Sequence, residues 1–158
     1  MSEEQIKMIT IHTESFVKGF FGEYRWLSNY EVCDIVYKGE TYTSTEAAYH
    51  SAKNDDDYIK SNIRNMGPKE SKTYSKTIPL RKDWDSVKKQ VMYDVLLDKF
   101  TRHQYLRGKL LSTGSKYLEE TNWWGDTYWG VCEGKGKNTL GELLMKIRNE
   151  IKMEEKWI

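Results

Sequence analysis

Three side chains able to move protons or attack carbon fall at helical spacing near the middle of the chain. Glu46, His50 and Lys53 stand at i, i+4 and i+7, one face of a helix. Ala48, Ser51 and Ala52 take the opposite face. An acid, an imidazole and an amine together can supply a base, a proton donor and a nucleophile. Each residue also has a plainer reading. Glu46 closes Thr43-Ser44-Thr45-Glu46, the S/T-x-x-E form of a capping box, in which the acid only bonds back to the helix start. On spacing alone, Lys53 reads as a surface lysine favouring the C-terminal end of its helix.

Two further stretches are suited to holding a ligand. In GVCEGKGKNTLG, from Gly130 to Gly141, Gly134 and Gly136 alternate with Lys135 and Lys137 before Asn138 opens a helix. Glycine admits close backbone approach, a helix start offers unpaired N–H groups, and lysine adds charge, which is the design of a phosphate site. The pattern is neither a Walker A loop nor G-x-G-x-x-G, and a flexible turn before a helix accounts for it equally well. Just upstream, Trp123-Trp124-Gly125-Asp126-Thr127-Tyr128-Trp129 sets large aromatics around an acid. That suits a flat heterocycle stacked in a cleft, although the tryptophans could equally be core. Phe20 to Trp26 forms another aromatic cluster, followed by Leu27-Ser28-Asn29-Tyr30, and Trp84 stands just before a helix. Together these features point to an anionic, ring-bearing ligand such as a nucleotide or its fragment.

The elements that must carry these residues can be read from periodicity. Met8 to Phe16 and Val32 to Tyr37 alternate as strands, with Cys33, Ile35 and Tyr37 on one side of the second. Lys38-Gly39 turns the chain, and Glu40 to Thr43 returns as a partner strand. A helix from the capping box runs to about Lys53. Asp56 caps a second helix carrying Ile59, Ile63 and Met66, which Gly67-Pro68 ends. Asp83 or Asp85 caps a third, with Val87, Val91, Val95 and Leu96 at helical spacing up to Phe100. A fourth spans His103 to Ser112 with Leu106 and Leu110 on one face. Asn138 caps a fifth, whose Leu140, Leu143, Leu144, Ile147 and Ile151 form an apolar stripe. The expected fold class is α+β: a mostly helical single domain with a small antiparallel sheet from the N-terminal third.

Composition narrows the class. The 158 residues suit one domain, and 38% hydrophobic content with 13% aromatics is too rich for a disordered segment. Lys+Arg 25 against Asp+Glu 24 leaves a net charge of +1, so no global field draws the chain to nucleic acid or membrane. Nothing approaches the ~20 apolar residues of a membrane helix. The polar start from Met1 to Lys7 does not read as a signal peptide. Cys33 and Cys132 stand far apart without a CxxC, which fits a reducing, cytoplasmic setting. His12, His50 and His103 share no zinc-type spacing, so no metal is expected.

Longer motifs then carry a resemblance. WLSNY at 26–30, the G-x-x-Y-x-(S/T)-x-E run at 39–46 with Lys53, RKDWDSVK at 81–88, VMYDVLLDKF at 91–100, and D-x-YWG…GKGKNTLGELLMKIR at 126–148 resemble the NADAR superfamily, also called YbiA-like. The likeness covers about residues 18–150 of a domain expected to span 1–158. It implies an N-glycosidase. The substrate put first is ADP-ribosylated guanine, as a nucleoside or in nucleic acid. The alternatives are ribosylamino-pyrimidine phosphates of the riboflavin pathway, or a non-catalytic module that binds ADP-ribose or NAD. No cofactor is implied, and the partner is a substrate bearing ADP-ribose or a phosphorylated ribosyl group. Carried across, the family's catalytic acid falls on Glu46, its lysine on Lys53 and its second acid on Asp126. Its pocket tryptophans fall on Trp84 and Trp129, its Gly-Lys run on Gly134, Lys135, Gly136, Lys137 and Asn138, and its N-terminal pocket wall on Arg25, Trp26, Ser28 and Asn29. His50 also faces the substrate, standing where many members carry Gln. Val131-Cys132-Glu133 replaces a more glycine-rich stretch, and Glu70 to Lys76 lacks an expected Gly. These changes bear on substrate choice more than on reaction type.

Overall fold

A computed structural model describes residues 2–157. In chain order the elements are α1 (Glu3–Ile9), β1 (Ile11–His12), β2 (Phe16–Lys18), a 3₁₀ helix (Gly22–Leu27), β3 (Val32–Tyr37), β4 (Glu40–Ser44), α2 (Thr45–Ser51), α3 (Asp57–Ile63), α4 (Pro68–Ser75), α5 (Trp84–Arg102), α6 (Gln104–Ser112), β5 (Tyr117–Glu119), β6 (Thr121–Asn122), β7 (Val131–Cys132) and α7 (Thr139–Glu155). The class is α+β with helix predominating, as expected. The chain packs as two compact units, one formed by Asn29–His103 and the other by the segments before and after it.

The Asn29–His103 unit is built on the β3–β4 hairpin. Lys38 and Gly39 both take positive φ, 49° and 80°, the backbone of a tight two-residue hairpin turn. Ile35, Tyr37, Tyr42 and Ser44 are buried from the alternating strands. The carboxylate of Asp98 on α5 accepts the Val36 N–H at 2.8 Å, tying the hairpin to that helix. α2 sits at the centre of the unit and packs against β3, β4, α3, α4 and α5. Its small residues Ala47, Ala48 and Ser51 permit this enclosure, and each is fully buried. Gly67-Pro68, read as a stop, instead opens α4 with Pro68 in its first turn, where its missing N–H costs nothing.

In the other unit the strand expected over Met8–Phe16 is divided. Ser2 and Gln5 form a capping box that carries α1 through Ile9. Only Ile11–His12 then pairs, antiparallel, with β2. β5 joins β2 in parallel to give the order β1-β2-β5, and β6 pairs β7 in parallel. α7 buries Leu140, Leu143, Leu144, Ile147 and Ile151. It lies so close to β5 that a Cβ at Gly141 would come within 2.1 Å of the Leu118 carbonyl oxygen. No helix among the described residues is long and apolar enough to cross a membrane.

Candidate active site

The first turn of α2 decides what Glu46 can do. β4 runs through Ser44, which becomes the helix N-cap and accepts the Ala47 N–H at 3.0 Å. The capping box read from Thr43 to Glu46 therefore does not form: the cap lies one residue later, and Ala47 stands where the box acid would be. Thr43 instead donates its hydroxyl to the Met66 carbonyl at 2.6 Å. Glu46 falls one position short of the box acid, and its side chain is released from that task. Asn29 anchors the turn: its carbonyl accepts the Glu46 N–H at 3.2 Å, and its side-chain oxygen accepts the Thr45 hydroxyl at 3.1 Å. Asn29 also contacts Met92 Sδ through its Nδ2 at 3.4 Å. Its expected place in a pocket wall becomes, in the structure, a seat for the helix start.

The freed Glu46 carboxylate lies 2.8 Å from His50 Nε2, with the two side chains 12% and 5% exposed. A carboxylate only accepts, so Nε2 carries the imidazole proton and donates. Nδ1 is then an acceptor, buried with no hydrogen-bond partner. Burial pushes the His50 pKa down; Glu46 opposes this, while Lys53 and Lys72 add to it. Tyr30, not among the residues singled out from sequence, belongs to the same neighbourhood. Burial, with the charge of Glu46 second, pushes its phenol up to about 12, so it keeps its proton at neutral pH.

Lys53 lies just past α2, whose last helical residue is Ser51. Its N–H closes the turn on the His50 carbonyl at 3.2 Å. Its Nζ stands 5.6 Å from the ring centre of Tyr49 and 5.8 Å from that of Trp84. Ser75 Oγ is 3.5 Å away. Trp84, 6% exposed, packs on Tyr49 at 5.1 Å and so forms a wall beside the amine. Burial lowers the Lys53 pKa; Glu46 opposes this, and Lys72 and Lys76 lower it further. Lys72, Ser75 and Lys76 all come from the α4 region, which sequence reading left without an element. Lys72, Ser75 and Lys76 were therefore not singled out, although Lys72 and Lys76 at i, i+4 were a usable signal; Tyr49, within α2 itself, was not singled out either.

The remaining candidates lie in the other unit. Arg25 is exposed, whereas Trp26 is 7% exposed. The Ser28 N–H caps their 3₁₀ helix on the Arg25 carbonyl at 2.9 Å. Asp126 Oδ1 accepts the N–H groups of Tyr128 and Trp129 at 3.1 and 2.9 Å, which fixes the turn that presents half-buried Trp129. The Gly-Lys run is largely committed to structure. Cys132 and Lys135 exchange backbone hydrogen bonds of 2.8 and 3.0 Å around Glu133-Gly134. A Cβ at Gly136 would come within 2.1 Å of the Gly130 carbonyl oxygen. The N–H groups of Lys137, Asn138, Thr139 and Leu140 donate to the carbonyls of Thr127, Gly130, Tyr128 and Trp129. The phosphate cradle expected from unpaired donors at this helix start is thus already filled by backbone. Asn138 stands at the N-cap in left-handed conformation, but its side chain caps nothing in α7. It accepts the Glu120 N–H and donates to the Leu118 carbonyl, both at 2.9 Å. Lys135 and Lys137 are exposed. Among the described residues no group of three His, Cys, Asp or Glu side chains is placed to hold a metal ion.

A carboxylate fixed by a neutral imidazole, beside an amine of lowered basicity, is equipped for proton transfer and for attack at an electrophilic carbon. The comparisons agree in class. The NADAR domain family matches residues 15–152. The chain is 38% identical over 144 residues to N-glycosidase YbiA of Escherichia coli (strain K12), covering 84% of this chain and 85% of that one. It is 30% identical over 132 residues to a riboflavin biosynthesis protein of Vibrio vulnificus (strain YJ016), covering 80% of this chain and 35% of that one. The NMR structure of the E. coli protein YbiA superposes with a TM-score of 0.80 at 32% identity, covering 98% of this chain and 95% of that one. With the family match spanning nearly its whole length, this chain belongs to the NADAR family and is a hydrolase acting on N-glycosyl bonds.

Proposed function

We propose that the chain releases ADP-ribose from ADP-ribosylated guanine, with Glu46 as the group that acts at C1′ of the ribose. The observation that carries the role of Glu46 is its carboxylate, freed from the helix cap and held at 2.8 Å by His50. As the C1′–N bond lengthens, positive charge develops on the sugar ring, and an adjacent carboxylate stabilises it. The same carboxylate takes a proton from water as the water oxygen bonds to C1′. The bonding pair of the broken C1′–N bond leaves with the base, and a proton returned from Glu46 completes the free base. His50 keeps the carboxylate oriented throughout. Lys53 offers a second route at the same carbon: its neutral amine bonds to C1′ as the C1′–N bond to the base breaks and the base leaves with that electron pair and a proton. The C1′–O4′ bond of the ribosyl-lysine then opens, its N–H proton passing to O4′ to leave an imine, and water hydrolyses the imine to free the sugar and restore the amine. Trp84 and Tyr49 supply flat faces beside it. Asp126 supports the turn that presents Trp129. Neither route draws on a cofactor.

A second reading is favoured by the riboflavin biosynthesis protein of V. vulnificus among the relatives. In it the substrate is a ribosylamino-pyrimidine phosphate, which has the same N-linked ribose. Both substrates should be incubated with the purified chain and base release followed by chromatography. Glu46→Gln is expected to lower release by about 10²–10⁴-fold, the usual worth of an acid–base group. A mutant that turns over like the parent would remove Glu46 from the chemistry. Faster release from the pyrimidine substrate would transfer the assignment to the second reading.

A further inference from the structure

We propose that Lys72 and Lys76, beside Lys53, form the subsite for the phosphoryl group on O5′ of the substrate ribose. This rests on the reading of Glu46 as the group facing C1′.

Lys72, Ser75 and Lys76 stand at i, i+3 and i+4 and so share one face of the α4 region. α4 packs against α2, the helix that carries Glu46 and His50. The contact at this face is explicit: Ser75, 6% exposed, has its hydroxyl 3.5 Å from Lys53 Nζ. That hydroxyl donates to the Lys72 carbonyl at 2.8 Å, which leaves its lone pairs for the lysine amine.

The charge balance at this face points to an anion. Arg64, Arg81 and Arg102 of the same unit each have a carboxylate partner. Among the described residues no ion pair includes Lys53, Lys72 or Lys76. The charge of Glu46 acts on Lys53 in one sense, and those of Lys72 and Lys76 in the other. Lys72 acts on His50 as well, so its charge reaches the Glu46 pair. Like charges gathered around a half-buried amine are unfavourable until an anion joins them. Lysine is a compact point charge with rotatable donors, suited to a phosphate. The rival location, at Lys135 and Lys137, has most of its backbone donors already engaged. In this assignment C1′ lies at Glu46 and the 5′ substituent at the α4 face, which α4 brings to the same site by packing on α2. The phosphoryl could belong to a monoester or to the diphosphate of ADP-ribose, and the probes separate the two.

Calorimetric titration with ribose 5-phosphate and with ADP-ribose tests the subsite without turnover, so its outcome is independent of the Glu46 assay. K72A/K76A is expected to bind both about tenfold or more weakly, with a shallower dependence on NaCl. K72R/K76R should recover most of the affinity. K76A, which alters only an exposed side chain, should show a smaller loss if the double variant melts early. Parent-like affinity in K72A/K76A would overturn the proposal. So would a larger loss in K135A/K137A, or a loss confined to ADP-ribose, which would place the phosphoryl contact beyond O5′.

Discussion

His50 holds Glu46 through one ring nitrogen and leaves the other buried without a partner, so the pair is oriented but unfinished. Lys53 is the residue whose role is most open to direct test. Burial and two neighbouring lysines lower its pKa against the pull of Glu46, which enlarges the neutral, nucleophilic fraction. If that amine attacks C1′, borohydride added during turnover should trap an adduct, read as a mass increase on the peptide containing Lys53. Lys53→Arg keeps the charge but not the nucleophile, because guanidinium stays protonated. Its turnover is expected to fall by about 10²-fold or more, with ADP-ribose binding retained. An active variant, together with no adduct in the parent, would leave direct water attack guided by Glu46.

α2 has only seven residues, too few to hold a helix in water by itself, so its cap and its enclosure must hold it. Ser44→Ala removes the acceptor for the Ala47 N–H. The expected loss is about 1 kcal/mol, or about 2–4 °C in Tm, and Ser44→Asp should restore most of it. An unchanged melt in Ser44→Ala would mean that enclosure alone sets the helix start. Thr43-Ser44-Thr45 offers the helix overlapping caps, and local pattern cannot rank them. The ranking comes from the hairpin, in which Ser44 pairs with Val32 and so remains strand until the helix begins. That one-residue choice separates a capping acid from a free carboxylate. α4 shows the same limit, because Gly67-Pro68 is compatible with either a stop or a start.

Stability against pH reports the buried imidazole across the whole molecule. The folded pKa of His50 lies below its ordinary value of about 6.5. The unfolded chain therefore binds more protons at mildly acidic pH, and stability falls as pH drops below about 6.5 through the folded value. Above that range the contribution is fully present. Urea unfolding from pH 7.5 to 5 should show this decline, and His50→Gln should flatten it. Parallel curves for the two proteins would mean that His50 is solvated or already protonated in the folded state.

The sequence by itself determined the pieces whose causes lie within a few residues. These are the β3–β4 hairpin from its alternation and Lys38-Gly39, the buried stripe of α7, and the i, i+4 pairing of Glu46 with His50 on α2. The length and order of its motifs also carried the family. Tertiary structure alone decided the parallel pairing of β2 with β5, whose partners are about a hundred residues apart. It also decided that the α4 lysines flank Lys53, and that Thr127 to Gly130 fill the donors at the start of α7. The physical reason is common to all three. Periodicity, caps and turns act through neighbouring residues, whereas the partner of a polar group is set by whichever distant segment the packed chain brings to it.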